Sequence, residues 1–461
     1  MSNEKMKQPG GMYLLGTMMA GCNFGYYGMR LTTLLFLVAA VGRGGVGFTD
    51  VNASSLLGTF MALAYITPML GGWAADKILG TRKSIMLGLG MCAVGYFIGF
   101  ASQSVISVYA MIYLVALGAG FYKGNLLTLL GSIYEKGDPR KDAAFSINYT
   151  FINIGVFFGT LICGFIANKW GATLDSDGKI LVYGYKYVFL ATSMAVTFSL
   201  IIFIMLKDRL LGTAGILPSH KEAAVGSQSE NDEKIPLTKG ERNRVVAICA
   251  LAIFATFFWV AYYQTATSIV LYAKNSVQLI YNGFEIPLAW MDTYNGFLCI
   301  ILGPIMAVVW GLKAKTKNGD FNIATKMTLG FLFLAAAFGV MALSITQTIG
   351  GGKASIIWLV LFSTLLTVGE MCFSPIAYSM VDKLAPKKIA GAMMGVWFAS
   401  TFLASKASGY VQFFVDKLGP LQVFLGFTVA LVAVGLILFS INKPIERMEK
   451  GEEAEAEIQV S

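Results

Sequence analysis

Arg30, Lys123 and Glu370 are single charges set inside long apolar stretches of this 461-residue chain. At the centre of a bilayer each would cost about 2.5–3.5 kcal/mol on insertion scales, so such residues usually face a cavity or a partner. Tyr26 and Tyr27 precede Arg30 by four and three residues and share its helical face, which Cys22 and Asn23 extend by a turn. Lys123 follows Gly118 and Gly120 and precedes Gly124 and Asn125, which places a cation beside surfaces small enough for close helix approach. Glu370 lies in the run VGEMCFSP, five residues before Pro375, where freed backbone groups are tolerated beside protein or a water-filled cavity. Two cations and one carboxylate make a dipolar cavity suited to a zwitterion, its carboxylate toward Arg30 and Lys123 and its amine toward Glu370. The alternative is that Lys123 and Glu370 form only a structural ion pair. Asp292 and Lys406 are isolated charges too, but both are expected near helix ends, where side chains reach water.

Membrane helices must position these groups. Residues AVILMFWYC make up 56% of the chain and DEKR only 13%, against about 25% charge in soluble proteins. Spanning about 30 Å of hydrocarbon takes roughly 20 helical residues. The stretches 51–75, 84–122, 143–168, 187–206, 245–273, 327–352 and 418–442 carry no charge. The second is too long for one helix and divides at the polar run Ser102-Gln103-Ser104. Four further apolar blocks hold the isolated charges: 12–40 (Arg30), 285–312 (Asp292), 354–381 (Glu370) and 389–414 (Lys406). The expected fold is therefore an all-α polytopic membrane protein of 12 transmembrane helices.

With 35 Lys+Arg, 26 Asp+Glu and one His, the net charge is +9. With both termini cytoplasmic, the outer loops hold only Arg43, Lys169, Lys179, Lys186, Lys274, Lys353 and Lys417, as the positive-inside rule requires. The basic balance is thus topology facing anionic lipid and calls for no nucleic-acid partner. Residues 1–11 are polar and precede no cleavable apolar core, so helix 1 is expected to stay in the protein. The six cysteines, Cys22, Cys92, Cys163, Cys249, Cys299 and Cys372, lie in predicted helices without a CxxC pair, so neither disulfides nor a metal site nor any cofactor is expected. His220 falls in a charged loop, which excludes an intramembrane histidine relay.

The polar stretch 207–244 separates an N-terminal six-helix bundle, 1–206, from a C-terminal one, 245–442, and an acidic cytoplasmic tail, 443–461, follows. Paired halves point to a repeat architecture with the substrate site near the bilayer midplane. After helix 2, Gly72, Asp76, Gly80, Arg82 and Lys83 match the G-xxx-D-xxx-G-x-R-K loop of the major facilitator superfamily, which this segment resembles. Asp76 and Arg82 are candidates for a charge latch between helices.

More specifically, the chain resembles the proton-dependent oligopeptide transporters. Helix 1 reads FGYYGMR over residues 24–30, like the second half of that family's ExxERFxYYG motif. Lys123-Gly124-Asn125, Tyr134-Glu135, Asp138-Pro139-Arg140 and the run NYTFINIG over 148–155 match helices 4 and 5, the last resembling FYxxINxG. Phe258-Trp259, Gln264, Asn295, Gly369-Glu370, Ser374-Pro375 and Trp397-Phe398 continue the match. The resemblance implies that Tyr26, Tyr27, Arg30, Tyr65, Lys123, Asn153, Asn295, Glu370 and Trp397 line a peptide cavity. Asn153, Asn295 and Glu370 would hold the amino terminus, and Arg30 and Lys123 would face the carboxylate. Without the family, the asparagines and Tyr65 read equally well as interhelical glue, and Trp397 as packing.

Departures from the pattern bear on coupling. Met19-Ala20-Gly21-Cys22-Asn23 stand where the family has ExxER, and Tyr263 stands where a glutamate usually precedes Gln264. The stretch 207–244 is also too short for the two extra helices that many bacterial relatives insert. The expected activity is secondary transport of di- and tripeptides or peptide-like zwitterions by alternating access, with any proton coupling carried by Lys123 and Glu370. Rival readings are a uniporter of another amine-bearing or anionic metabolite and a non-transporting peptide receptor. No HExxH, GxSxG or intramembrane carboxylate pair supports an enzyme. A monomer in the plasma membrane, the inner membrane of a bacterium, is expected.

Overall fold

The computed structural model describes residues 7–135, 138, 140–218, 237–316, 321–386 and 389–449. Its helices are α1 (Gly10–Val38), α2 (Asp50–Ala74), α3 (Thr81–Ala101), α4 (Val105–Ser132), α5 (Arg140–Phe165), α6 (Tyr185–Leu211), α7 (Lys239–Tyr262) and α8 (Ser268–Ser276). They continue with α9 (Trp290–Ala314), α10 (Ile323–Ser344), α11 (Ile357–Leu384), α12 (Ala390–Ser408), α13 (Val411–Leu418), α14 (Pro420–Ser440) and α15 (Asn442–Glu449). Among the described residues, 10 helices are long and apolar enough to cross a membrane. The helices α1, of 29 residues, and α12, of 19, lie in two further stretches where spans are expected. The linker's flanks are helical, 207–211 completing α6 and 239–244 opening α7, while 219–236 with His220, and 450–461 of the tail, lie outside the described residues.

Local chemistry sets the breaks. The polar run after α3 ends in Ser104, whose side chain accepts from the Ser107 amide and caps α4. Thr49 caps α2 and Asn322 caps α10 in the same way, and Thr238 and Glu241 form a capping box at the start of α7. Two expected spans are corrected. The apolar block predicts helix 8 from residue 285, but Ile280–Tyr281 and Phe284–Glu285 form an antiparallel hairpin and α9 starts only at Trp290. Asn282 and Gly283 have φ of 50° and 77°, the two-residue turn that an Asn-Gly pair favours. Helix 7 is interrupted, because α7 gives way at Tyr263–Ala266 to a 3-10 turn before α8 resumes. There the completely buried Gln264 donates to the Val260 carbonyl at 2.8 Å and accepts from Thr267 at 3.0 Å, satisfying polar groups that the break sets free.

By internal contacts the chain forms two units, Met1–Ser229 with Leu279–Gly296, and Glu230–Gln278 with Phe297–Ser461. The 280–285 hairpin and the first turns of α9 cluster with the first unit. Within that unit α1 packs on α5 and α6, α3 on α4 and α6, and α2 on α4. In the second, α10 packs on α11 and α14, and α7 on α12. Large apolar side chains on outer faces, such as Met194, Phe198 and Met205 of α6, stay exposed, as suits contact with lipid.

Two family motifs have structural roles here. Gly80, at φ 77°, lets the chain turn from α2 into α3. Arg82 then donates to Asp208 at 3.0 Å and to the carbonyls of Gly212 and Ala214 at 2.7 and 2.6 Å. The guanidinium expected in a latch therefore clamps the start of α3 to the end of α6, while Asp76 lies exposed in the π-helical turn Ala75–Leu79 that follows α2. Arg140 pairs with Asp138 at 2.7 Å and donates to the Lys7 carbonyl at 3.0 Å, and Tyr134 donates to Gln8, so this loop staples the N-terminal segment. Hydrogen bonds from Arg140 hold the Asp138 carboxyl below the usual carboxylate range.

Candidate functional site

Close helix contact places the first cluster. On α5, a Cβ at Gly155 would run into the Ala20 backbone of α1, and one at Gly159 would meet the Phe24 carbonyl at 2.6 Å. The glycine of the INxG run is thus what lets α5 lie against the tyrosine-bearing face of α1. On α4, Gly118 approaches Gly88 of α3, and Gly120 approaches Thr67 of α2, as the small residues around Lys123 led one to expect. Asn125 ties these helices by donating to the Gly71 carbonyl at 3.1 Å and to Ser84 at 3.0 Å.

Lys123 Nζ lies 3.6 Å from the centre of the Tyr26 ring, and the Arg30 guanidinium 5.0 Å from that of Tyr27. Tyr26 stacks on Phe60 and meets Tyr27 edge-on, so two cations each rest on one of two touching rings. The principal correction concerns Asp292. Expected in water at a helix end, it is 7% exposed, and both its carboxylate oxygens accept from Arg30 Nη2 at 2.8 Å. The reason is the hairpin, which begins α9 later than expected and seats its first turns on unit one. Thr293 bonds Thr160 at 2.6 Å, and the Trp290 indole donates to the Leu161 carbonyl at 3.2 Å.

The second unit holds Glu370. Tyr262, the last residue of α7, donates to Glu370 Oε2 at 2.9 Å, and the Cys299 thiol of α9 lies 3.9 Å from the same oxygen. Gly369 packs against the Gly330 carbonyl of α10, and Phe258 stacks on Phe373 with ring centres 3.9 Å apart, which fixes α11 beside α7 and α10. Glu370 is half-buried.

The remaining expected residues divide. Tyr65, on α2, and Asn295, three residues after Asp292 on α9, are half-buried. Asn153 is half-buried and donates to the Tyr149 carbonyl of its own helix at 2.8 Å. Trp397, on α12, is completely buried. The sequence reading overlooked Tyr262 and Cys299 as neighbours of Glu370, and Asp292 as the partner of Arg30. The spacing of Asp292 and Asn295, one helical turn apart on one face, was the available signal.

Comparison with known proteins places this geometry. The model of the POT family matches residues 82–210 and 223–421. The chain belongs to the POT family. POT-family relatives include a dipeptide and tripeptide permease A of Escherichia coli, 28% identical over 98% of this chain and 96% of that protein. A peptide transporter of Yersinia enterocolitica, YePEPT, is 28% identical over 92% of each chain. Among solved structures, a mutant of peptide transporter POT in complex with alafosfalin has a TM-score of 0.85 at 27% identity and 96% coverage of both chains. The fold is accordingly the all-α major facilitator arrangement of POT-family transporters, a multi-pass membrane protein.

Proposed function

We propose that the protein carries di- and tripeptides, or peptide-like zwitterions, across the plasma membrane by alternating access. The observation that carries this reading is the segregation of charge. Arg30 and Lys123 gather on the tyrosine face of the first unit, and Glu370, oriented by Tyr262, stands in the second. A carboxylate suits the former and an ammonium the latter. Tyr27, Tyr65, Asn153 and Asn295, all half-buried, are the neutral groups proposed to contact the peptide. The names of the POT-family relatives support the same substrate class. Both termini are proposed to be cytoplasmic and the monomer to be the transporting unit.

Saturable uptake of a labelled dipeptide into proteoliposomes tests the reading, with di- and tripeptides, amino acids and N-blocked peptides as competitors. Unblocked di- and tripeptides should compete and N-blocked ones should not. Glu370→Gln should remove that discrimination along with most uptake, whereas uptake and amine selectivity intact in Glu370→Gln would sink the zwitterion model. The reading of a uniporter is favoured by one observation, that MAGCN and Tyr263 replace the family's usual carboxylates. It predicts uptake indifferent to an imposed pH gradient.

A further inference from the structure

A lysine inside a membrane bundle needs something to hold its charge, and within the first unit Lys123 has no carboxylate to do so. Between their end turns the six long helices α1 to α6 contain no Asp or Glu. The buried aspartate of the unit, Asp292, is engaged by Arg30 at 2.8 Å. Arg30 lies near enough to Lys123 to repel it, and the other groups within electrostatic reach are the buried thiols of Cys22 on α1 and Cys92 on α3. A like charge and two thiols offer no ion pair.

What meets the ammonium is the face of Tyr26. Lys123 Nζ stands 3.6 Å from the centre of that ring, closer than Arg30 stands to Tyr27 at 5.0 Å. An aromatic face carries the negative part of the ring quadrupole and attracts a cation, most strongly where water is kept away. Tyr26 is 5% exposed, and its plane is set from two sides, by Phe60 of α2 stacked at 5.4 Å and by the edge of Tyr27 at 5.2 Å. The ring is thus almost wholly covered, whereas Lys123 is half-buried, so the lysine and not the tyrosine is offered to a solute. An ammonium has three N–H donors, and a ring behind it leaves donors for a carboxylate in front. Without the ring the flexible stem would let the ammonium wander, and desolvation would favour loss of its proton.

We propose that Tyr26 is a positioning residue for substrate recognition, whose ring face takes the place of a carboxylate partner and holds Lys123 charged and aimed at the substrate's carboxylate. This rests on the peptide-transport reading. It gives Tyr26 a role apart from lining the cavity, and one that depends on the electron density of the ring face and not only on its shape.

Calorimetric binding of dialanine to the purified full-length protein tests it, with a series at position 26 in which that density alone changes. Tyr26→Phe keeps the face and should bind within about twofold of wild type. Replacement of Tyr26 by phenylalanine carrying one, two and then three ring fluorines, introduced by nonsense suppression, keeps the shape while draining the face. Affinity should fall stepwise along that series, to about tenfold below Tyr26→Phe. Dialanine amide, which has no carboxylate for Lys123, should bind the whole series alike, and in a Lys123→Gln background the series should be flat for dialanine as well. Should Lys123→Gln not fold, the amide comparison decides the same point in the native background. A flat series for dialanine with Lys123 in place would overturn the proposal while leaving the transport reading intact, and so would an equal slope with the amide or in Lys123→Gln. Wild-type protein that binds neither dialanine nor its amide would sink the transport reading and the proposal with it.

Discussion

Glu370 is half-buried and accepts a hydrogen bond from Tyr262 at one carboxylate oxygen, where we propose that a peptide ammonium binds. A hydrogen bond to a charged group contributes about 1.5–3 kcal/mol net, and about 1.4 kcal/mol is a tenfold change in affinity. Tyr262→Phe should therefore raise the half-saturating dipeptide concentration by about tenfold, with a smaller effect than Glu370→Gln. Unchanged affinity in Tyr262→Phe would mean that the phenol only packs. The charges themselves were legible in the sequence, because an ion in an apolar helix is conspicuous at any distance from its partner. The partners were not. Asp292 lies 262 residues from Arg30 in sequence, and no local pattern joins them.

At the scale of elements, glycines decide which helices touch. Gly155 has the Ala20 backbone where its Cβ would go, whereas Gly90 on α3 has nothing within 4 Å. Overpacking of this kind costs about 1–3 kcal/mol. Gly155→Ala should lower the thermal unfolding midpoint in detergent by several degrees, while Gly90→Ala should leave it unchanged or slightly higher. Equal midpoints for the two would show that α1 and α5 are not held in close contact. Helix existence and most boundaries were readable from apolar length, and the Ser102–Ser104 break was readable from its polarity. The 263–267 interruption was not, since neither glycine nor proline marks it and Gln264 supplies the compensation from its own side chain. The hairpin was written in Asn282-Gly283, but six residues are short beside an apolar block of more than twenty.

For the whole molecule, the +9 charge is a statement about sides. If basic loops face the cytoplasm, a cysteine placed at the exposed Asp177, between α5 and α6, should react with an impermeant maleimide on intact cells. One at the exposed Thr213, after α6, should react only once the membrane is opened. The reverse pattern would invert the proposed topology. The native thiols at positions 22, 92, 163 and 372 are buried and give little background.

The Arg30–Asp292 pair also has a history during synthesis. Residue 30 leaves the ribosome long before its counter-ion, which lies 262 residues further on, and at about 5–20 residues per second that stretch takes roughly ten to fifty seconds to translate. Through that interval the nascent α1 holds its arginine without the aspartate that later pairs with it. Its settling into the bilayer is thus tied to the arrival of α9, and a ribosome stalled anywhere between the two leaves that chain electrostatically unfinished.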